Sequence, residues 1–265
     1  MAAYTHGYQE SVLRSHRQRT AENSAAYLLP RLAAGQALLE VGSGAGTITA
    51  DLAARVAPGR VTAVELTETA RDLGRAEAAR RGQENIGFVV GDVHALDFPE
   101  DSFDVVHAHQ VLQHVADPVQ ALREMRRVCR PGGVVAARDS DYAAFTWYPA
   151  DPVLDRWLAL YQTAARANGG EPDAGRRLLA WAHAAGFTEV LPSSTTWCFA
   201  TPDARTYWGG MWADRILKSD IATQSLRDGL ASPAELEEIS AAWRRWTDDP
   251  DGWISLLHGE IIAIA

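Results

Sequence analysis

The residues best suited to chemistry begin at Glu40, in the run Leu38-Leu39-Glu40-Val41-Gly42-Ser43-Gly44-Ala45-Gly46-Thr47. Glycines alternating with small residues at a strand-to-helix turn let a ligand approach the backbone where any Cβ would clash. The spacing selects among ligands. A dinucleotide fingerprint requires Gly or Ala where Thr47 stands, and Glu40 would repel a bound pyrophosphate. A carboxylate there suits a ligand carrying an ammonium group instead. Glu65 ends the apolar run Val61-Thr62-Ala63-Val64, about 20 residues past the glycines, where an acid can accept both hydroxyls of a ribose. His107, His109 and His114 invite a metal reading, but no Cys lies near and the spacing matches no zinc pattern, so no metal site is expected. His114 starts the following helix and is a candidate general base, against a plainer role in capping or packing. Asp139 and Asp141 leave the carboxyl end of another apolar run, where open α/β sheets place ligands. They could orient or deprotonate a substrate, or equally satisfy loop amides.

These groups need a frame to hold them. From about residue 37 to 140, short apolar runs alternate with helical patterns, the signature of βαβ units and a parallel sheet. Strands are expected at 37–41, 61–65, 87–90, 103–108 and 133–138, and helices near 46–56, 68–82 and 117–129. Arg130-Pro131-Gly132-Gly133 closes the last helix with a proline that cannot continue it. Ahead of the sheet, 9–30 reads as one amphipathic helix ending near Pro30. Beyond 140 the texture changes to an aromatic loop at 141–150, helices at 152–167 and 174–185, and a strand at 188–199. Residues 202–248 are helical again, with Ser232-Pro233-Ala234-Glu235 as a capping box, and 254–264 reads as the final strand. With no repeat or linker, the chain is expected to be a single domain over 1–265. Its parts are a 1–30 lid, a 31–199 core, a 200–250 insertion and the 251–265 final strand.

Glu40 and the glycine turn, Glu65, Gly91-Asp92-Val93-His94, the stretch Asp104–Pro118 and Arg130-Pro131-Gly132-Gly133 occur in one order at consistent offsets. Together they resemble class I S-adenosylmethionine-dependent methyltransferases. The stretch from Asp104 to Pro118 is similar to the ubiquinone/menaquinone C-methylase-like small-molecule subgroup. The resemblance covers about 37–140 closely and 174–265 in layout. It implies a doubly wound, Rossmann-like α/β fold with a mainly parallel seven-stranded sheet and an antiparallel seventh strand. An N-terminal helical lid and a helical insertion near the C-terminus would cover the site. It implies S-adenosylmethionine as cofactor, with Glu40, Gly42, Ser43, Gly44 and Gly46 at the methionine portion and Glu65 and Leu66 at the ribose. Asp92 would accept the adenine amine while Val93 flanks the ring, and His109 and Gln110 would run past the sulfonium. In the lid, Tyr8 would lie over the cofactor and Arg19 on its carboxylate. Gln113-His114 replaces the subgroup's His-His pair, so a quinone-methylating mechanism does not carry over.

All 9 tryptophans lie beyond residue 146. Aromatic residues at helical spacing are more often core than pocket. Tyr142, Trp147, Trp208 and Trp212 are nevertheless expected to line a substrate pocket, because an insertion beside a methyl donor is where acceptors are chosen. The implied reaction is methyl transfer to a small, largely apolar aromatic molecule, at carbon ahead of oxygen or nitrogen, in specialised metabolism. The rivals are a cofactor-binding cyclase or isomerase that transfers no methyl, and a nicotinamide-dependent oxidoreductase, which Thr47 and Glu40 disfavour.

Composition narrows the partners. The 25 basic and 34 acidic side chains leave a formal net charge of −9, without the basic footprint that nucleic acid or an anionic membrane requires. Cys129 and Cys198 read as buried thiols in a reducing cytosol. No apolar run suits a membrane span or a secretion signal, so a cytoplasmic protein is expected, with a homodimer left open.

Overall fold

The computed structural model describes residues 18–265, so Tyr8 and the rest of the expected lid before Gln18 lie outside the described residues. The first described elements depart from one long helix. Among the described residues of that segment, a single turn, α1 (Ala21–Ser24), and a 3-10 turn at Leu29–Arg31 form. The reason is local: Thr20 and Asn23 make a reciprocal capping box, a helix start signal inside the segment read as continuous helix.

The parallel strands form from short apolar runs, buried on both faces in the inner strands and partly exposed in the one at the sheet edge. These are β1 (Leu38–Val41), β2 (Val61–Glu65), β3 (Ile86–Val90), β4 (Phe103–His109) and β5 (Cys129–Ser140). They alternate with α2 (Thr47–Val56), α3 (Glu68–Arg80) and α4 (Pro118–Val128). Beyond them come the short β6 (Thr146–Tyr148), α5 (Pro152–Ala167), α6 (Leu178–Ala184) and β7 (Val190–Phe199). The chain continues through α7 (Pro202–Lys218), α8 (Asp220–Arg227) and α9 (Pro233–Asp248), and ends in β8 (Trp253–Ile264).

The strands run β3-β2-β1-β4-β5 in parallel, followed by β8 antiparallel to β5 and β7 antiparallel to β8. The sheet has 8 strands rather than seven. The addition is β6, in the segment expected to be a loop, where the β-formers Thr146-Trp147-Tyr148 pair with Trp253-Ile254-Ser255.

One sheet face, with Leu39, Val41, Val106 and Val135, packs on Leu122 and Met125 of α4 and Leu178 of α6. The other, with Leu38, Val105, Ala136 and Ile262, packs on Leu28 and on Ile48 and Leu52 of α2. A third apolar cluster joins α5, α7, α8 and α9 into a helical cap over β8. The cap is wider than the 200–250 insertion, since Trp157 of α5 sits at its centre. That indole meets Trp212 at 4.6 Å and Trp243 at 4.8 Å, both edge to face. No described helix is long and apolar enough to cross a membrane.

Candidate functional site

A cavity of about 750 Å³ opens at the carboxyl ends of the parallel strands and runs from the glycine turn to the helical cap. On one side the wall is backbone and carboxylate. Gly42, Gly44 and Gly46 have φ of +72°, +54° and +78°, the left-handed region that favours glycine. A Cβ on Gly42 would come within 2.5 Å of Val111 Cγ2, and one on Gly46 within 2.8 Å of Gly74 Cα. Packing of the turn against its neighbours therefore demands glycine as firmly as ligand approach does.

Three carboxylates face this side. Glu40 is buried with Oε2 2.8 Å from His107 Nδ1. Glu65, at the tip of β2, accepts from the Gly44 amide and from Ser43 Oγ at 3.4 Å. Burial raises its carboxyl above the ordinary value, opposed by those hydrogen bonds. Asp92 is held below the ordinary value, first by the His94 amide at 2.9 Å, and His94 Nδ1 lies 2.7 Å from the same oxygen. Leu66 stands half exposed at the cavity edge and Val93 is buried in its wall. A glycine cradle, an acid at the end of β2 and an ionised acid after β3 fit the methionine, ribose and adenine portions of S-adenosylmethionine.

The other side is built on the end of β4. Gln110 has φ +54°, rare for a residue with a side chain, and its amide donates to Arg138 O at 2.7 Å. This sharp turn aims the Gln110 amide group into a network. Arg19 Nη2 donates to Oε1 at 2.8 Å, while Nε2 donates to Ser140 Oγ at 3.0 Å and to His258 Nε2 at 2.9 Å. His258 Nδ1 in turn donates to Leu256 O at 3.0 Å, which fixes its tautomer. Burial holds both His258 and His109 well below the usual imidazole value. Tyr142, Phe145, Phe199, Tyr207 and Trp208 complete the wall, with Tyr142 stacked on Tyr161 at 4.0 Å and Trp208 on Phe199 at 4.6 Å.

The structure thus gathers around one cavity Arg19, Glu40, Gly42, Ser43, Gly44, Glu65, Leu66, Asp92, Val93, His109, Gln110, His114, Tyr142 and Trp208. Gly46 stands beside them, where the turn enters α2. Six other expectations are corrected. Asp139 does not line the cavity: it is fully buried against the loop after β4, where Oδ1 accepts from the Gln113 amide at 3.1 Å. Asp141 is occupied by Arg176, whose Nε and Nη2 lie 2.6 and 2.5 Å from its two oxygens. Trp212 is consumed by the Trp157–Trp243 packing of the cap, and Trp147 abuts Trp157 at 6.3 Å. His114 does line the cavity, but its Nε2 accepts from Gln113 Nε2 at 2.9 Å and burial pushes it down to about 3, which makes it a poor base. Cys198 is exposed rather than buried, because β7 borders the sheet.

His258, Trp197 and Phe199 were missed. Each sits in a run read only as a strand, although a lone histidine in the apolar tail was a usable signal for His258. Among the described residues no group of three or more His, Cys, Asp or Glu is placed to hold a metal ion.

A family model described as a methyltransferase domain matches residues 39–137. The uncharacterized methyltransferase C1B3.06c of Schizosaccharomyces pombe is 34% identical over 272 residues, covering 98% of this chain and 95% of the relative. The ubiquinone/menaquinone biosynthesis C-methyltransferase UbiE of Hahella chejuensis is 33% identical over 134 residues, 50% of this chain and 51% of that one. Among solved structures, the [4+2]-cyclase SpnF shares the fold at TM-score 0.54 and 22% identity, over 97% of this chain and 88% of that one.

Proposed function

The chain belongs to the S-adenosylmethionine-dependent methyltransferases, and on that footing we propose that it methylates a small, largely apolar aromatic molecule, at carbon ahead of oxygen or nitrogen. The observation that carries the proposal is the asymmetry of the cavity. Its β1–β3 side offers glycine backbone and carboxylates, while the side under the cap offers the faces and edges of Tyr142, Phe145, Phe199 and Trp208. Aromatic walls with a few convergent polar groups are what a small apolar ligand needs. The preference for carbon leans on the likeness of half of this chain to a C-methyltransferase.

Bound at the glycine turn, the cofactor supplies a methyl group already activated by its sulfonium. The chain's own part is alignment and exclusion of water. The glycine turn and Glu65 hold the donor, Tyr142 and Trp208 hold the acceptor against it, and the Arg19–Gln110–His258 network fixes the floor between them.

Incubation with methyl-labelled S-adenosylmethionine and a panel of hydroxylated and alkylated arenes tests the proposal. Label recovered in an organic-extractable product, on a carbon by mass fragmentation, is the expected result. A product formed while all label stays on the donor would instead favour cyclisation, an activity named for a protein of the same fold.

A further inference from the structure

Four histidines line the cavity, and three of them are spoken for. His94 Nδ1 lies 2.7 Å from Asp92 Oδ1, and its Nε2 accepts from the Asp117 amide at 3.4 Å. His114 Nε2 accepts from Gln113, and both nitrogens of His258 are used by Leu256 O and Gln110. His109 is the exception. It is only 4% exposed, it lines the cavity, and neither ring nitrogen has a hydrogen-bond partner among the described residues. A buried polar group left in that state is costly, so a fold tolerates it where a ligand completes it.

The surroundings say which ligand. His109 pairs in register with Arg138 of β5, and its ring lies 5.9 Å from that of Trp197 on β7. Those neighbours belong to the β5–β8–β7 side, away from β1–β3, where the glycine turn and Glu65 stand. Arg19 and Arg138 flank the same place, their guanidinium carbons 5.7 and 4.9 Å from the Trp197 ring centre. Burial and these two cations keep the imidazole neutral. A neutral imidazole offers one N–H and one bare nitrogen. A carboxylate could use only the first, and an ammonium only the second, against the Arg19 guanidinium, since Arg138 is already paired with Glu260 at 3.1 Å. A hydroxyl serves either nitrogen, donating to the bare one or accepting from the N–H.

We propose that His109 selects the acceptor by hydrogen-bonding a ring hydroxyl, with Trp197 bordering the same subsite. This rests on the aromatic-acceptor reading above and narrows it to hydroxylated rings. The residue acts by binding and positioning, and no proton transfer is assigned to it.

The test uses the full chain saturated with S-adenosylhomocysteine, titrated calorimetrically with 2-naphthol and with naphthalene. A site built to hydrogen-bond a hydroxyl discriminates strongly against the analogue lacking it, so the wild type should prefer 2-naphthol by at least about tenfold. His109→Phe should bind the two alike, His109→Asn should recover part of the preference, and S-adenosylhomocysteine affinity should be the same in all three. Equal binding of both probes by the wild type, or a preference that survives in His109→Phe, overturns the proposal and leaves the aromatic-acceptor reading standing. Binding of neither probe overturns both. Loss of S-adenosylhomocysteine affinity in His109→Phe at unchanged melting temperature gives His109 to the cofactor and also overturns it. Should His109→Phe not fold, the wild-type ratio and His109→Asn decide the matter.

Discussion

The two ends of the cavity are built from different materials. Around β1, β2 and β3 the wall is main chain: glycines at positive φ, amides and carboxylates anchored to them, such as Glu65 on Gly44 and Asp92 on His94. Around β5, β8 and the cap it is side chain: stacked aromatic rings, neutral histidines and one glutamine held by three partners. A main-chain wall suits a ligand that stays the same, because changing it requires changing the turn. A side-chain wall can be rebuilt one residue at a time, which suits the component that differs among enzymes of one fold. Charge follows the same division. Carboxylates crowd the donor end, while Arg19 and the neutral imidazoles of His109 and His258 mark the other.

The sharpest way to break this comparison lies within the cap, where Trp208 and Trp212 share one helix and one sequence neighbourhood. Trp212 is fully buried between Trp157 and Trp243, and Trp212→Ala should cost about 3–5 kcal/mol of stability. Trp208 borders the cavity, so Trp208→Ala should instead raise the acceptor's KM with cofactor affinity retained. Thermal melts beside kinetics separate the two. If both variants lose stability equally and keep activity per folded molecule, the aromatic wall is core and no acceptor surface exists there.

The next largest effect concerns Asp139, buried behind the cavity against the loop after β4. It is completely buried, its Oδ2 has no hydrogen-bond partner, and burial pushes its carboxyl up to about 7 from 3.8. The folded protein keeps a proton that the unfolded chain releases between those values. Stability from this group is therefore full below about pH 4 and lost as pH rises through about 7, by up to roughly 4 kcal/mol. Asp139→Asn removes that dependence. Its melting temperature should overtake the wild type's between pH 5 and 8, and parallel curves would show that Asp139 stays ionised in the fold.

How much of this could be read beforehand divides along the same line. Glu40, Gly42, Gly44, Glu65 and Asp92 were legible because a main-chain cradle leaves local marks, namely glycines at fixed intervals and an acid ending an apolar run. The strands beneath them were legible within one or two residues, apart from the early start and late end of β5 at Cys129 and Ser140. His258, Trp197 and the demotion of Trp212 were not, because each depends on which strand face or helix face meets a partner distant in sequence. His258 faces the cavity through its pairing with Ser140 and Thr195, a register settled only when the last strand inserts beside β5. Asp141 failed for the same reason, its partner Arg176 lying 35 residues on.

Within the donor end, Glu65→Ala should weaken S-adenosylhomocysteine binding by about 1.5–3 kcal/mol, the scale of hydrogen bonds to a charged acceptor. Calorimetry should show this loss while discrimination between acceptors is unchanged. Because Glu65 also braces Gly44, part of the loss will come from a loosened turn. Glu65→Gln keeps an amide-accepting oxygen and should fall between the two. Unchanged affinity in Glu65→Ala would remove the ribose contact from this residue.

The smallest effect is expected at His114, and its smallness is what makes it informative. Truncating a general base typically costs 10²–10⁴ in rate. His114 lines the cavity, yet its Nε2 already accepts from Gln113, and burial with Arg19 nearby pushes it down to about 3. A group with so low a proton affinity takes up a proton poorly at neutral pH. It also cannot impose a limb on the rate profile between pH 5 and 7, since it is already neutral throughout that range. His114→Ala should therefore keep turnover within about tenfold of wild type and leave the shape of the pH profile unchanged. A rate loss of a hundredfold with cofactor affinity intact would mean that acceptor binding reorganises the Gln113–His114 contact and frees that nitrogen. The chemistry would then belong to a side chain at the boundary between the two ends, and alignment alone would no longer account for the reaction.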